Sequence, residues 1–170
     1  LGTARRDHPF PAEGTPPSVI VTSRSISASK AEAQARNGVA VLTQPDIRWG
    51  RCDIKTVGLL ANVLAKQAAR EAGAYEAWMV DEMGLVTEGS STNAWIVDAD
   101  GTVITRDLSN AILPGVTRRI MLEAMAEAQM KFAERKFTLA EAKVAREAFI
   151  SSATGAAVPV VAIDGQGIGN

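Results

Sequence analysis

The stretch from 76 to 105 constrains the fold most. It divides into short β-rich runs at Glu76–Val80, 85–87, Asn93–Val97 and 102–105, separated by turns of a few residues. Asp100-Gly101 is a hairpin signal, because a tight turn between paired strands needs positive φ angles that glycine adopts freely. Strands joined so closely pair antiparallel. They do not suit a doubly wound parallel sheet, whose crossovers need about a dozen residues or more.

The rest of the chain alternates helix and strand. Val57, Leu59, Leu60, Val63, Leu64 and Ala68 recur at helical spacing, predicting a helix over 57–72 that Gly73 stops. Pro114-Gly115 precedes a second helix over 117–129, with Ile120, Met121, Ala124 and Met125 on one face. Thr138 and Glu141 form a T-x-x-E capping box, so a short helix runs to 145. Residues 18–23, 39–42, 46–52, 148–151 and 158–163 are read as strands, 25–38 as a loop or short helix, and Asp164-Gly165 as a turn. The expected class is α/β with much antiparallel pairing, in one domain.

Composition narrows the partners. With 18 basic and 19 acidic residues the formal charge is −1, which gives no reason to expect nucleic acid or an acidic membrane surface. No apolar run approaches the ~18 residues of a membrane span, and no signal-like segment opens the chain. The single cysteine, Cys52, excludes an internal disulfide, and with the single His8 it makes a structural zinc site a poor expectation. A reducing, cytoplasmic setting is the default. The chain opens on Leu1 and stops at Gly169-Asn170 just after a turn, so it reads as part of a longer protein.

Five segments could carry chemistry. Lys55 lies in RWGRCDIK, between a predicted strand and a predicted helix, flanked by Ile54 and Val57. Desolvation there would disfavour the ammonium form and yield a nucleophilic amine, the requirement for a Schiff-base lysine. The alternative is a solvated surface charge. TEGSSTN (87–93) packs Glu88 beside Ser90, Ser91 and Thr92 at a strand end. It is either a plain polar loop or a site where Glu88 accepts from a protonated ring nitrogen and the hydroxyls bind an anion. ILPGVTR (112–118) is either a helix start capped by Thr117 or a phosphate cradle of free N–H groups with a hydroxyl. FISSATGAA (149–157) places Ser151, Ser152 and Thr154 after a strand, where they could close on the same anion or form a turn. Near the start, Arg6 and His8 in RRDHPFP suit a carboxylate or belong to a solvated basic loop.

Taken in order, these pieces resemble the class IV (fold type IV) pyridoxal-phosphate aminotransferases, and within them the D-amino-acid branch. The resemblance runs from RRDHPFP through DIRWGRCDIK, VTEGSSTN, ILPGVTR and FISSATGAAVPV to the IDG near the end. It implies the family's large domain, a mixed-sheet pseudo-barrel with packed helices, working as a homodimer on D-amino acids and 2-oxo acids: D-alanine and 2-oxoglutarate to pyruvate and D-glutamate. It implies pyridoxal 5'-phosphate as cofactor, held covalently by Lys55, which then moves the substrate's α-proton. Glu88 would face the ring nitrogen, and Ser91 and Thr92 the cofactor face. Val116, Thr117, Ser152 and Ala153 would form the phosphate cup. Arg48 would lie close to the cofactor. Arg6 and His8 would trap the substrate carboxylate in the other subunit, within a 1–45 segment that also joins the domains. Ala153 stands where the family usually offers a threonine hydroxyl, so weaker or rearranged phosphate binding is expected. The family's small N-terminal domain, with a further phosphate-binding arginine, is absent from this chain, so by itself it would be an inactive piece of an active enzyme. A branched-chain L-amino-acid aminotransferase, an aminodeoxychorismate lyase and a non-catalytic binding module are the alternatives.

Overall fold

A computed structural model of the chain describes residues 8–25 and 27–169. In chain order the elements are α1 (Ala28–Asn37), β1 (Val39–Pro45), α2 (Leu60–Glu71), β2 (Glu76–Val80), β3 (Val86–Gly89), β4 (Asn93–Val97), β5 (Val103–Thr105), α3 (Val116–Glu127), β6 (Phe132–Glu134), α4 (Leu139–Lys143), β7 (Glu147–Ser152), β8 (Ala156–Ile163) and β9 (Gln166–Gly167). The strands form one mixed sheet in the order β3-β2-β1-β8-β7-β4-β5-β6, with β9 on β8. Hairpin neighbours pair antiparallel as expected, but β1 runs parallel to both β2 and β8, and β5 parallel to β6.

This order forces the sheet to curl. Five strand spacings separate β3 from β4, which on a flat sheet would be about 24 Å. Yet Gly89 ends β3 and Asn93 begins β4, four residues on, a path of at most ~15 Å. The sheet therefore bends into a half-barrel that brings β3 back towards β4, and that closure carries the candidate site.

The hollow of the sheet is filled by Val41, Val86, Ile96, Ile104, Ile150, Val160 and Ile163, with Trp78 meeting Phe137 edge-on at 6.4 Å between ring centroids. α2 covers β2 through Ala65 and Ala69 against Ala77 and Met79. α3 covers β4 through Met125 against Trp95, which stacks on Phe149 at 5.3 Å. β2, β3 and β4 are thus buried on both faces.

Several expectations need correction. Residues 18–23 form no strand; Val19, Ile20 and Val21 stay exposed, so no sheet edge receives them. Residues 46–52 form a loop, and α2 begins at Leu60, three residues past the predicted start. β6 was not expected. The capping box holds: Thr138 Oγ1 accepts from Glu141 N at 3.0 Å, and Glu141 Oε2 from Thr138 N at 2.8 Å. Among the described residues, no helix is long and apolar enough to cross a membrane.

Candidate active site

Where the sheet closes, a cavity of about 920 Å³ opens between the 46–59 loop, the ends of β3 and β7, the 89–93 turn and the start of α3. That is ample for a small-molecule ligand. Lys55, Glu88, Ser91, Thr92, Val116, Thr117, Ser152, Ala153 and Arg48 all line it, although they come from segments more than a hundred residues apart. Arg6 lies outside the described residues. His8 is exposed and is not part of the wall.

Glu88 is the most constrained of these. Its Oε1 accepts from Arg48 Nη1 at 2.5 Å and its Oε2 from Asn93 Nδ2 at 3.0 Å, while the backbone N–H of Leu113 reaches both oxygens at 3.1 Å. Burial nonetheless pushes its carboxyl up to about 7, against the opposing effect of Arg48. The reason is visible in the guanidinium. Arg48 Nε and Nη2 form a two-point fork with Asp46 at 2.9 and 2.8 Å, and Nη2 also donates to Ala111 O at 2.9 Å. Burial alone would lower Arg48, but its bonds and charges with Asp46 and Glu88 outweigh that and hold it above its ordinary range. Burial would likewise raise Asp46, yet the Arg48 and Thr87 hydrogen bonds hold its carboxyl below its ordinary value. Two acids share one cation, and the buried cluster is one positive charge short.

A few residues away, α3 begins. Gly115 is its N-cap, at φ −62° and ψ 137°, with no side-chain cap bond. Thr117 is therefore not the capping group, and the first-turn N–H groups are left for an anion. A Cβ on Gly115 would fall on Asn93 Oδ1, so only glycine lets the helix start come this close to β4. Arg118 anchors that turn, donating from Nη2 to Arg106 O at 2.8 Å and to Glu134 Oε2 at 2.5 Å. Across the cavity, Ser152 Oγ accepts from Gly155 N at 3.0 Å, which leaves its proton for a ligand. Ser151 is buried, and its Oγ accepts from Trp95 Nε1 at 2.9 Å, so it serves the core.

The serines of the 89–93 turn play a different part from the one expected. Ser90 Oγ donates to Glu76 Oε1, and Ser91 Oγ to Glu76 Oε2 at 2.7 Å. Their protons are spent on a carboxylate, so they offer lone pairs, and they are not an anion cradle. Glu76 is fully buried on β2, with Lys66 Nζ 3.2 Å from its Oε1. Asn62 Nδ2 secures the same turn through Ser90 O at 2.8 Å. Thr92 Oγ1 is buried against Gly89 and has no hydrogen-bond partner among the described residues.

Lys55 lies on the loop, five residues before α2, and is exposed. Ile54 and Val57 are exposed too, so this chain does not supply the desolvation expected from them. The loop is pinned to the far wall by Cys52 N donating to Asn110 O at 2.8 Å. Burial pushes the Cys52 thiol up, which disfavours it as a nucleophile.

Sequence reasoning missed Asp46, Glu76 and Asn93. Asp46 and Asn93 stand inside the quoted motifs, two residues before Arg48 and at the end of TEGSSTN; Glu76 carried no signal beyond its place at the head of a strand. Together the wall can hold a ligand that combines a protonated ring nitrogen with an anionic group.

Residues 1–163 match the family described as amino-transferase class IV. Over 169 residues the chain is 40% identical to a D-alanine aminotransferase of Bacillus licheniformis, covering 99% of this chain and 58% of that protein. It thus spans a little over half the length of the curated relatives it matches. A branched-chain aminotransferase of the thermophilic archaeon Thermoproteus uzoniensis, solved with norvaline, superposes with a TM-score of 0.70 at 29% identity, over 77% of this chain and 46% of that one. A hypothetical aminotransferase from Mycobacterium tuberculosis gives 0.75 at 19% identity, over 85% and 54%, a likeness of fold alone.

Proposed function

This chain belongs to the class IV aminotransferases, and from that premise we propose that it is the cofactor-binding larger domain of a pyridoxal-phosphate-dependent D-amino-acid aminotransferase. The reaction is transfer of an amino group from a D-amino acid such as D-alanine to a 2-oxo acid such as 2-oxoglutarate. The supporting observation is the pairing, in one cavity, of a buried carboxylate one cation short with an uncapped helix start.

The residues present fit the cofactor: an acid for its ring nitrogen, N–H groups and hydroxyls for its phosphate, and a lysine amine. When bound, pyridoxal phosphate supplies an aldehyde for amines and an electron sink for the substrate's α-carbon. Lys55 provides the amine that holds it and then carries the α-proton. Glu88 keeps a proton on the ring nitrogen, and Arg48 steadies Glu88. Val116 and Thr117, with Ser152 and the backbone N–H of Ala153, hold the phosphate; Ala153 contributes no hydroxyl. Ser91 and Thr92 line the cofactor face, Ser91 as a hydrogen-bond acceptor. Arg6 and His8 receive the substrate carboxylate across a homodimer, which would also cover the exposed Trp49, Leu60 and Val63. The cytoplasmic setting expected of the chain is part of the same proposal.

A branched-chain L-amino-acid aminotransferase is the second reading, favoured by the 0.70 superposition. The deciding experiment is the absorption spectrum of the full-length protein with pyridoxal phosphate, then with D- or L-alanine. Loss of the near-visible band with D-alanine, and pyruvate formed, supports the first reading. A response to L-amino acids alone rejects it, and no band at all rejects both.

A further inference from the structure

Asp46 follows directly on β1, and its N–H donates to Val80 O at 2.9 Å, so the backbone fixes its place. Its side chain is only 10% exposed. It accepts from Arg48 Nε at 2.9 Å, from Arg48 Nη2 at 2.8 Å and from Thr87 Oγ1 at 2.6 Å. The forked edge of the guanidinium is therefore committed to Asp46. The second Nη2 hydrogen goes to Ala111 O, and the guanidinium gives Glu88 a single bond, from Nη1. Thr87 and Glu88 are adjacent on β3, so one strand end presents its hydroxyl to one acid of the cluster and carries the other.

We propose that Asp46 is a positioning residue that sets the proton affinity of Glu88: it holds Arg48 as a shared cation and stops the guanidinium from forking onto Glu88 and neutralising it. The proposal rests on the cofactor reading given above and deepens it. An arginine free to grip Glu88 by two bonds would make that carboxylate a poor partner for a ring proton. With Asp46 in place, the cluster carries two acids on one base and is balanced when one proton is added. That proton sits on Glu88 itself, which burial holds at about 7, or on a ring nitrogen placed against it. The charged and titratable groups around Glu88 are Asp46 and Arg48 from the loop after β1, with the Cys52 thiol and Lys55 further along the same loop. β4 adds only the uncharged Asn93, and the segment before α3 only the Leu113 N–H.

The test is a pH titration of the Glu88 carboxyl in the full-length, cofactor-free protein, by carbon NMR with labelled glutamate, the signal assigned through Glu88→Gln. Asp46→Asn keeps the shape of the side chain and removes its charge. The expected result is a Glu88 midpoint lowered by about one unit or more, roughly tenfold in proton affinity. Asp46→Glu, which retains the charge, brings the midpoint back towards that of the wild type. If Asp46→Asn does not fold, Asp46→Ser, which leaves room for water on the guanidinium, carries the same test. A folded neutral variant with an unmoved midpoint overturns the proposal. Because no cofactor is present, this outcome is independent of the spectral experiment. The aminotransferase reading can fail while the midpoint still moves, and the reverse.

Discussion

Asn93 Nδ2 donates to Glu88 Oε2 at 3.0 Å and to Leu113 O at 3.0 Å, tying the first residue of β4 to the end of β3 and to the approach to α3. One amide thus closes the curled sheet and aims the acid of the site. Gly115 packs against the other end of the same amide. Gly115→Ala should displace Asn93 and move the helix start. We expect a loss of about 1–3 kcal/mol of stability and weaker pyridoxal phosphate binding, read by thermal unfolding and by a cofactor titration. Wild-type values for both would contradict this account of the closure.

Lys55 is exposed and makes no contact that the fold depends on. Lys55→Ala should leave stability within about 0.5 kcal/mol of the wild type, but abolish the near-visible absorbance of the loaded protein and its turnover. A variant that keeps both band and turnover would remove the lysine from its proposed role.

Glu88 has its carboxyl raised to about 7 by burial, above its ordinary value of ~4.3. The folded protein therefore binds more protons than the unfolded chain between roughly pH 4.5 and 7, and stability falls as pH rises through that window. Glu88's contribution is full below the unfolded pKa and is lost above 7. Glu88→Gln, which cannot titrate, should flatten that slope in the cofactor-free protein, by on the order of 2 kcal/mol between pH 5 and 8. Urea unfolding across this range checks it; parallel slopes in both proteins would count against it. Asp46 and Asp164, whose carboxyls are lowered, act the opposite way and lose their stabilisation only in more acidic solution. In the loaded enzyme, Glu88→Gln should slow the half-reaction more than it weakens cofactor binding, measured by stopped-flow absorbance against a binding titration.

Glu76 holds the 89–93 turn from below through Ser90, Ser91 and its own bond from Ala77 N at 2.8 Å. Glu76→Ala leaves the buried Ser90 hydroxyl without its acceptor and frees Ser91 to water. The expected cost is about 2–4 kcal/mol, together with looser binding at the Ser91 side of the cavity. Hydrogen exchange at residues 89–93 is the direct readout, and unchanged protection there would refute the supporting role.

Much of the site was legible before any coordinate, because its parts are local. Pro114-Gly115 ahead of a periodic apolar face marks a helix start from either side, and Thr138 with Glu141 marks another; both appear within a residue or so of the expected place. β2 and β4 matched their expected spans, since a short run of β-formers between turn residues carries its own boundaries. β6 was invisible because three residues, with only Ala133 turned to the core, are too few to show a period; β5 offers them a parallel edge. Residues 18–23 have β-forming composition but no edge to join, so the same kind of signal produced no strand.

The order of residues along the chain thus determined the helix starts, the turns and the residue types that converge on one cavity. Only the tertiary structure decided which charges meet inside it. That Arg48 spends its fork on Asp46, that Ser90 and Ser91 turn their protons towards Glu76, and that Glu88 is left short of a cation all follow from the curling of the sheet. The physical reason is range. Capping and turn preferences act over three or four residues, whereas the free energy of a buried charge depends on everything packed around it. Here those neighbours come from loops and strands as far apart as positions 46 and 113.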